Sequence, residues 1–398
     1  MSQTKTRLAK EGEMRAPKII RVAGLAISRV DAAPAQAARQ VARTILVVAL
    51  AGLVWSGVTS SARADANPPI GDTTVFASVP YPGHPGGIVV DGHTVYVDTF
   101  NPVDRASDDY DAIFTYNLAT GALRSDRPNP IKVPRMMSPA IMGLAAMALD
   151  AEGRLYVADM NGRIVRVDPK TGAQSDYATF PTNTMTSVSN MPAGIAFDDE
   201  GDLYVTDASA PIIWRVPPGG GEAKAWFADP ALAGVWGVTG LNAAAIDPSG
   251  TYLYFSMQYS SATALYRLPL NQPEISSLDL VHAYEPPPPT LDTGDPEVQG
   301  IFGTSGIAFG ASGKLYVVLL GANQVSILRP DGTEALRFPT ADQNAQQAVP
   351  YDDPLFPAFD GSGSLLVTNV AFRSLEKSVV LDAWVNDTAF PLVRPSIP

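Results

Sequence analysis

The sequence predicts an all-β fold, a closed six-bladed β-propeller, and three observations carry that prediction. A unit of short strands recurs six times at intervals of about fifty residues, the spacing of propeller blades. The chain has 33 glycines and 35 prolines in 398 residues, which suits many short strands and tight turns and falls short of a disordered composition. A lone β-like run, TTVFAS at 73–78, stands ahead of the first unit and is left over as a closing strand.

The clearest unit is residues 191–216, MPAGIAFDDEGDLYVTDASAPIIWRV. Ile195–Phe197 reads as a first strand, DDEGD as a turn in which Gly201 is free to take positive φ, and Leu203–Thr206 and Ile212–Val216 as the next two strands. The same order recurs at 146–167, 243–268 and 306–328, with weaker copies at 87–97 and 358–369. Runs such as AKAWFA (223–228) and EALRF (334–338) supply fourth strands, and TTVFAS resembles them. It is therefore expected to pair with the last unit and close the ring, which removes the exposed edges of an open sheet.

From the N-terminus, residues 1–64 read as an extension and secretory signal, and 65–398 as the propeller. Residues 1–43 are basic and lack strand alternation, and 44–59 (TILVVALAGLVWSGVT) form an uncharged apolar run. Ser-Ser-Ala-Arg-Ala at 60–64 then offers the small residues a signal peptidase reads. Cleavage is expected after Ala64, with Ala66 as the alternative. The run is shorter than the roughly twenty residues of a membrane span. The expectation is therefore a secreted or periplasmic protein with no stable membrane span after cleavage.

Ten of the 28 basic and three of the 40 acidic residues lie in 1–64, so the body carries 18 against 37, a net charge of −19. An acidic body of that kind repels nucleic acid and anionic membrane. Cysteine is absent, which excludes disulfides and a thiol nucleophile. The chain is expected to work as a monomer on a small molecule.

In unit one, the loop between the second and third strands carries Asp104, Asp108, Asp109 and Asp111 without the spacing or glycine of an EF-hand. A Pro-rich insertion at 285–299 joins units four and five and favours extended polyproline conformations. A polar one at 341–354 precedes unit six. Trp214, Trp226, Trp236 and Trp384 lie in or beside strands and read as blade packing.

A propeller places ligands over its central channel, so the residue just before each first strand is the informative one. Alignment on the turn aspartates gives Gly86, Ala145, Ala193, Asn242, Ser305 and Leu355. Asn242 and Ser305 are the polar members. Asn190 and His84 stand close by, as do Thr304, Asp352 and Asp353, and the second strands end near Asp98, Asp159, Asp207 and Asn369. Asp159 and Asp207 recur as YVAD and YVTD, so two roles stand open for Asp207, turn cap and carboxylate ligand. No His-Glu-x-x-His, Gly-x-Ser-x-Gly or P-loop is present, and three histidines are too few for a His-rich metal site.

At PAGIAFDDEGDLYVTD…IIWRVPPGGGEAKAWFADP (192–230) and GLNAAAIDPSGTYLYFS (240–256) the chain resembles the gluconolactonase, senescence-marker-protein and strictosidine-synthase-like family of six-bladed propellers. The resemblance spans about residues 72–395. It implies hydrolases that hold one divalent cation, often calcium, in the channel. The implied ligand positions fall on Gly86, Ala193, Asn242 and Ser305, and Asn242 alone keeps the family's residue.

Three functions follow as expectations. The first is an exported propeller with a degenerate metal site that binds a small ligand or partner at the channel mouth through Asn190, Asn242 and Ser305. The alternative is a metal-dependent lactonase- or esterase-like hydrolase with a rearranged cation site. Its ligands would be Asn242 and Asp207, its cation most simply calcium, and His84 and Asp353 its catalytic residues. A metal-free enzyme with a carboxylate base is the third.

Overall fold

Each unit holds β-branched and aromatic runs broken by a tight turn, of the form Asp-x-x-Gly in units two, three, four and six, and each becomes an antiparallel blade. The computed structural model describes residues 67–100, 109–136, 142–181, 189–234, 240–258, 263–271, 273–285, 303–372 and 374–398. The signal segment, Trp236 and nearly all of the Pro-rich insertion lie outside these residues. Among the described residues no helix is long and apolar enough to cross a membrane.

The described strands form six sheets. Blade 1 holds β2 (Pro85–Asp91), β3 (Thr94–Thr99), β4 (Tyr110–Asn117) and β5 (Ile131–Pro134). Blade 2 holds β6 (Leu144–Leu149), β7 (Leu155–Asp159), β8 (Arg163–Val167) and β9 (Gln174–Thr179). Blade 3 holds β10 (Pro192–Phe197), β11 (Leu203–Asp207), β12 (Ile212–Val216) and β14 (Lys224–Ala228), and its short β13 (Gly221–Glu222) pairs in parallel with β9. Blade 4 holds β15 (Leu241–Ile246), β16 (Tyr252–Met257), β17 (Ala264–Pro269) and β18 (Asp279–Ala283). Blade 5 holds β19 (Thr304–Phe309), β20 (Leu315–Leu319), β21 (Gln324–Leu328) and β22 (Glu334–Phe338). Blade 6 holds β23 (Pro354–Phe359), β24 (Ser364–Asn369) and β25 (Val379–Trp384). The polar insertion before blade 6 forms a short helix, α1 (Ala341–Gln346), capped by Thr340.

β1 (Thr73–Ser78) is the fourth strand of blade 6. It pairs antiparallel with β25 from Thr73 opposite Ala383 to Ser78 opposite Val379, as TTVFAS predicts. The innermost strands β2, β6, β10, β15, β19 and β23 each touch the next, and β23 touches β2, so the ring is closed.

The turn aspartate explains why the unit repeats. Asp198 Oδ1 accepts from Glu200 N at 3.1 Å and Asp202 N at 2.9 Å, while Gly201 takes φ 88°. Asp150, Asp247 and Asp360 do the same for their own turns. In blade 5 this position is Gly310, and the carboxylate comes from Asp387 in the C-terminal segment, which accepts from Ser312 N at 3.2 Å and from Tyr316 Oη at 3.0 Å.

Every inner strand also carries a bulge near its start, between Pro85 and Ile88 in β2 and at the matching residues of the other five. The aligned positions Gly86, Ala145, Ala193, Asn242, Ser305 and Leu355 all fall inside these bulges. Apolar side chains pack between blades, with aromatic pairs such as Tyr156–Phe197 and Phe180–Trp214 meeting edge to face.

Candidate functional site

Below the bulges the inner strands point small and aliphatic side chains at one another. Ile88, Ala146, Ile195, Ala243, Ile307 and Phe356, one from each blade, are among the residues at this level. They line a central cavity of about 520 Å³ that runs to the lower ends of the inner strands. The C-terminal segment crosses that lower end. Phe390 N donates to Phe309 O at 3.0 Å in blade 5, and Ala151 N in blade 2 donates to Pro395 O at 3.0 Å. Between them Arg394 reaches blade 1, donating to Asp91 Oδ1 at 2.5 Å and Val90 O at 3.0 Å. The channel is thus an apolar chamber with a mostly apolar strap beneath it, anchored by Arg394.

The sequence-predicted residues stand round the upper end in three separate groups. Asn242 and Ser305 meet, since they hold one structural position on neighbouring blades. Asn242 Nδ2 donates to Ser305 Oγ at 3.4 Å, and both residues are buried. His84 and Asp353 share the corner between blades 6 and 1 and are joined through Val370. The Val370 N–H donates to Asp353 O at 3.1 Å, and Val370 O lies 2.9 Å from His84 Nδ1, which places the ring proton on Nδ1. Both residues have positive φ, 49° and 53°.

Asn190 and Asp207 form the third group, between blades 2 and 3. Asn190 Nδ2 donates to Pro181 O at 2.7 Å. Asp207 accepts four hydrogen bonds. Met191 N and Ser209 N donate to Oδ1 at 3.0 Å, Ser209 Oγ donates to it at 2.8 Å, and Trp214 Nε1 donates to Oδ2 at 3.0 Å. That is the geometry of a cap on the strand end, the first of the two roles its recurrence leaves open. Asp159 is engaged likewise by Asn161 and Arg163.

Six to eight oxygens, with carboxylate charge among them, are what a calcium ion needs. Gly86 and Ala193 bring no side-chain donor, and Asn242 and Ser305 bring neutral ones that already meet each other. The residues at the four implied positions therefore do not fit a calcium ion. Among the described residues no group of three or more His, Asp or Glu side chains converges. The acidic loop of unit one lies largely outside the described residues. Asp111 from it forms a buried ion pair with Arg135 at 3.0 Å.

Two features carry chemistry that sequence reasoning does not assign. One is the apolar chamber, whose lining follows from the register of six strands. The other is Asp98, which is fully buried. Its Oδ1 accepts from Gly87 N at 2.6 Å, and a Cβ on Gly86 would stand 2.5 Å from that oxygen. The carboxyl of Asp98 thus fills the room that a side chain at Gly86 would take. Burial pushes the Asp98 carboxyl well above the usual carboxylate range, and the charge of Asp111 adds to the push, against the Gly87 hydrogen bond.

The model of the N-terminal part of strictosidine synthase-like proteins matches residues 146–167, which lie in blade 2. No curated protein matches the sequence. Among solved structures, a calcium-binding protein, regucalcin, from Agrobacterium tumefaciens strain C58 is similar at 17% identity and a TM-score of 0.56. The match covers 81% of this chain and 97% of that one. An X-ray structure assigned as a gluconolactonase is similar at 16% identity and a TM-score of 0.51, covering 81% and 95%. The chain is a six-bladed β-propeller that resembles the gluconolactonase, regucalcin and strictosidine-synthase-like proteins.

Proposed function

We propose that this protein is an exported, monomeric binding propeller that holds a small, mainly apolar molecule in its central channel without a resident cation. The observation that carries the reading is the chamber itself. A volume of about 520 Å³ lies within the range of roughly 300–1,000 Å³ typical of small-molecule sites, and its wall is mainly apolar, with Asp247 and Arg394 as its ionisable residues. Asn242 and Ser305 sit above that wall and supply the few polar groups that would orient a ligand. The carboxylates near the mouth are engaged elsewhere, Asp207 by four donors and Asp352 by Lys377 at 2.9 Å. A fold keeps its shape when its chemistry changes.

Nile red, an apolar dye, is the probe for this reading. The wild-type protein binds it in one-to-one ratio, and a chelator leaves the affinity unchanged. Ala243→Phe fills the chamber and weakens binding about tenfold or more, a loss of ~1.4 kcal/mol, with the circular-dichroism spectrum unchanged. Equal affinity in Ala243→Phe, or loss of binding on chelation, contradicts the proposal.

A second reading is a lactonase- or esterase-like hydrolase with a relocated cation. It draws on the likeness to a regucalcin described as calcium-binding. It requires Asp207 to give up its present donors and join Asn242 across the mouth, with His84 and Asp353 as the acid–base pair.

A further inference from the structure

The second strand of a blade brings one residue to the bulge of the inner strand beside it. In blade 3 this is Thr206. Its Oγ1 accepts from Gly194 N at 2.8 Å and donates to Asn242 O on the inner strand of blade 4. In blade 4 it is Ser256, which accepts from Ala243 N at 2.9 Å and donates to Ser305 O of blade 5 at 2.8 Å. In blade 6 it is Thr368, which accepts from Phe356 N at 2.9 Å and donates to Gly86 O of blade 1 at 2.7 Å. Each hydroxyl bonds in two directions and staples its blade to the next.

In blade 1 the same register position is Asp98, one residue before Thr99, which stands opposite Pro85. Its Oδ1 already plays the accepting half, towards Gly87 N. Its Oδ2 lies where the donating half belongs. A Cβ on Gly87 would stand 2.7 Å from Oδ2 and would overlap Ala145 O, so the two oxygens crowd one point. Ala145 is the blade 2 counterpart of Asn242, Ser305 and Gly86. Oδ2 is buried and has no hydrogen-bond partner as a bare acceptor. Two acceptors facing each other in a dry seam repel, and a proton between them turns repulsion into a bond.

We propose that Asp98 is held as a neutral carboxylic acid whose Oδ2–H donates to Ala145 O, joining blade 1 to blade 2 as the hydroxyls of Thr206, Ser256 and Thr368 join blades 3, 4 and 6 to their next blades. The surroundings agree. Pro85–Val90 and Leu144–Leu149, the segments packed against it, bring no ionisable side chain. From β4 comes Asp111, whose charge favours a protonated neighbour, and Arg135 is committed to Asp111. The buried acid also leaves a pH signature. In the unfolded chain Asp98 ionises near about pH 4, whereas the folded chain keeps its proton above that. Stability from this staple is therefore full below the unfolded value and declines as pH rises towards the folded one. This inference does not depend on what the channel binds.

Asp98→Asn is the test, because its amide offers the same acceptor and puts an N–H where the acid has its O–H. The expected melting temperature is equal to or above that of wild type near about pH 8, and the part of the wild-type decline between about pH 5 and pH 8 that belongs to Asp98 is gone. Asp98→Thr, the residue used in blades 3 and 6, also keeps the fold, and Asp98→Ala melts below both. Infrared spectra of the wild type at neutral pH show a protonated carboxylic C=O band that both Asp98→Asn and Asp98→Thr lack. An Asp98→Asn variant that melts below wild type near neutral pH, or a wild-type spectrum without that band, overturns the proposal.

Discussion

Deletion of residues 67–79 leaves a chain that no longer unfolds in one cooperative transition. The segment contributes β1, and β1 is the outer strand of a blade whose other three strands come from the opposite end of the chain. Its loss removes the pairing of Thr73–Ser78 with Val379–Ala383, together with Gly71 N to Trp384 O at 2.7 Å and Val79 N to Ser378 O at 2.9 Å. At about 1 kcal/mol for each lost backbone bond the deletion costs on the order of 5 kcal/mol. Burial of Ala77 and Val79 adds to this. Domains are stable by roughly 5–15 kcal/mol, so the ring loses much of its margin and exposes an edge strand. A calorimetric scan on the shortened protein checks this. A melting transition of unchanged position and sharpness would mean that closure by β1 is dispensable.

Asp207→Ala is expected to destabilise the protein by about 3–9 kcal/mol, because it strands the buried Met191 N, Ser209 N and Trp214 Nε1 groups at about 1–3 kcal/mol each. All three residues are almost fully buried, so water cannot take the place of the carboxylate. Urea denaturation measures the loss. Calcium added to wild type shifts the midpoint by no more than it does for the variant, since the carboxylate serves the strand end. A variant of wild-type stability that loses a calcium-dependent stabilisation would assign Asp207 to a cation instead.

Blades 2, 3, 4 and 6 were legible because each inner pair is local: strand, Asp-x-x-Gly turn and strand lie close together in the chain, and the turn carboxylate holds its own loop. Blade closure was legible for a different reason, since TTVFAS had β character and no unit of its own to join. Blade 5 marks the limit. Its turn has Gly310 in place of aspartate, and Asp387, far along the chain, supplies the missing carboxylate, which no local pattern announces. The site divides in the same way. Asn242 and Ser305 come together because alignment of the repeats already placed them at one position on adjacent blades. His84 and Asp353 share a corner where the backbone of Val370 bonds to both, and Asp207 faces inward to its own strand end. The chamber and the proton on Asp98 are properties of the closed ring. They depend on six registers and on two glycines whose missing Cβ atoms make room for a carboxyl, and a linear reading of residue types does not contain them.

The proposed cation-free channel rests on an apolar wall and on a mouth where, among the described residues, no group of three or more His, Asp or Glu side chains converges. Elemental analysis of the protein purified from calcium-containing buffer addresses this directly. The account predicts no divalent metal in stoichiometric amount, and one tightly held calcium, zinc or manganese ion per chain would contradict it.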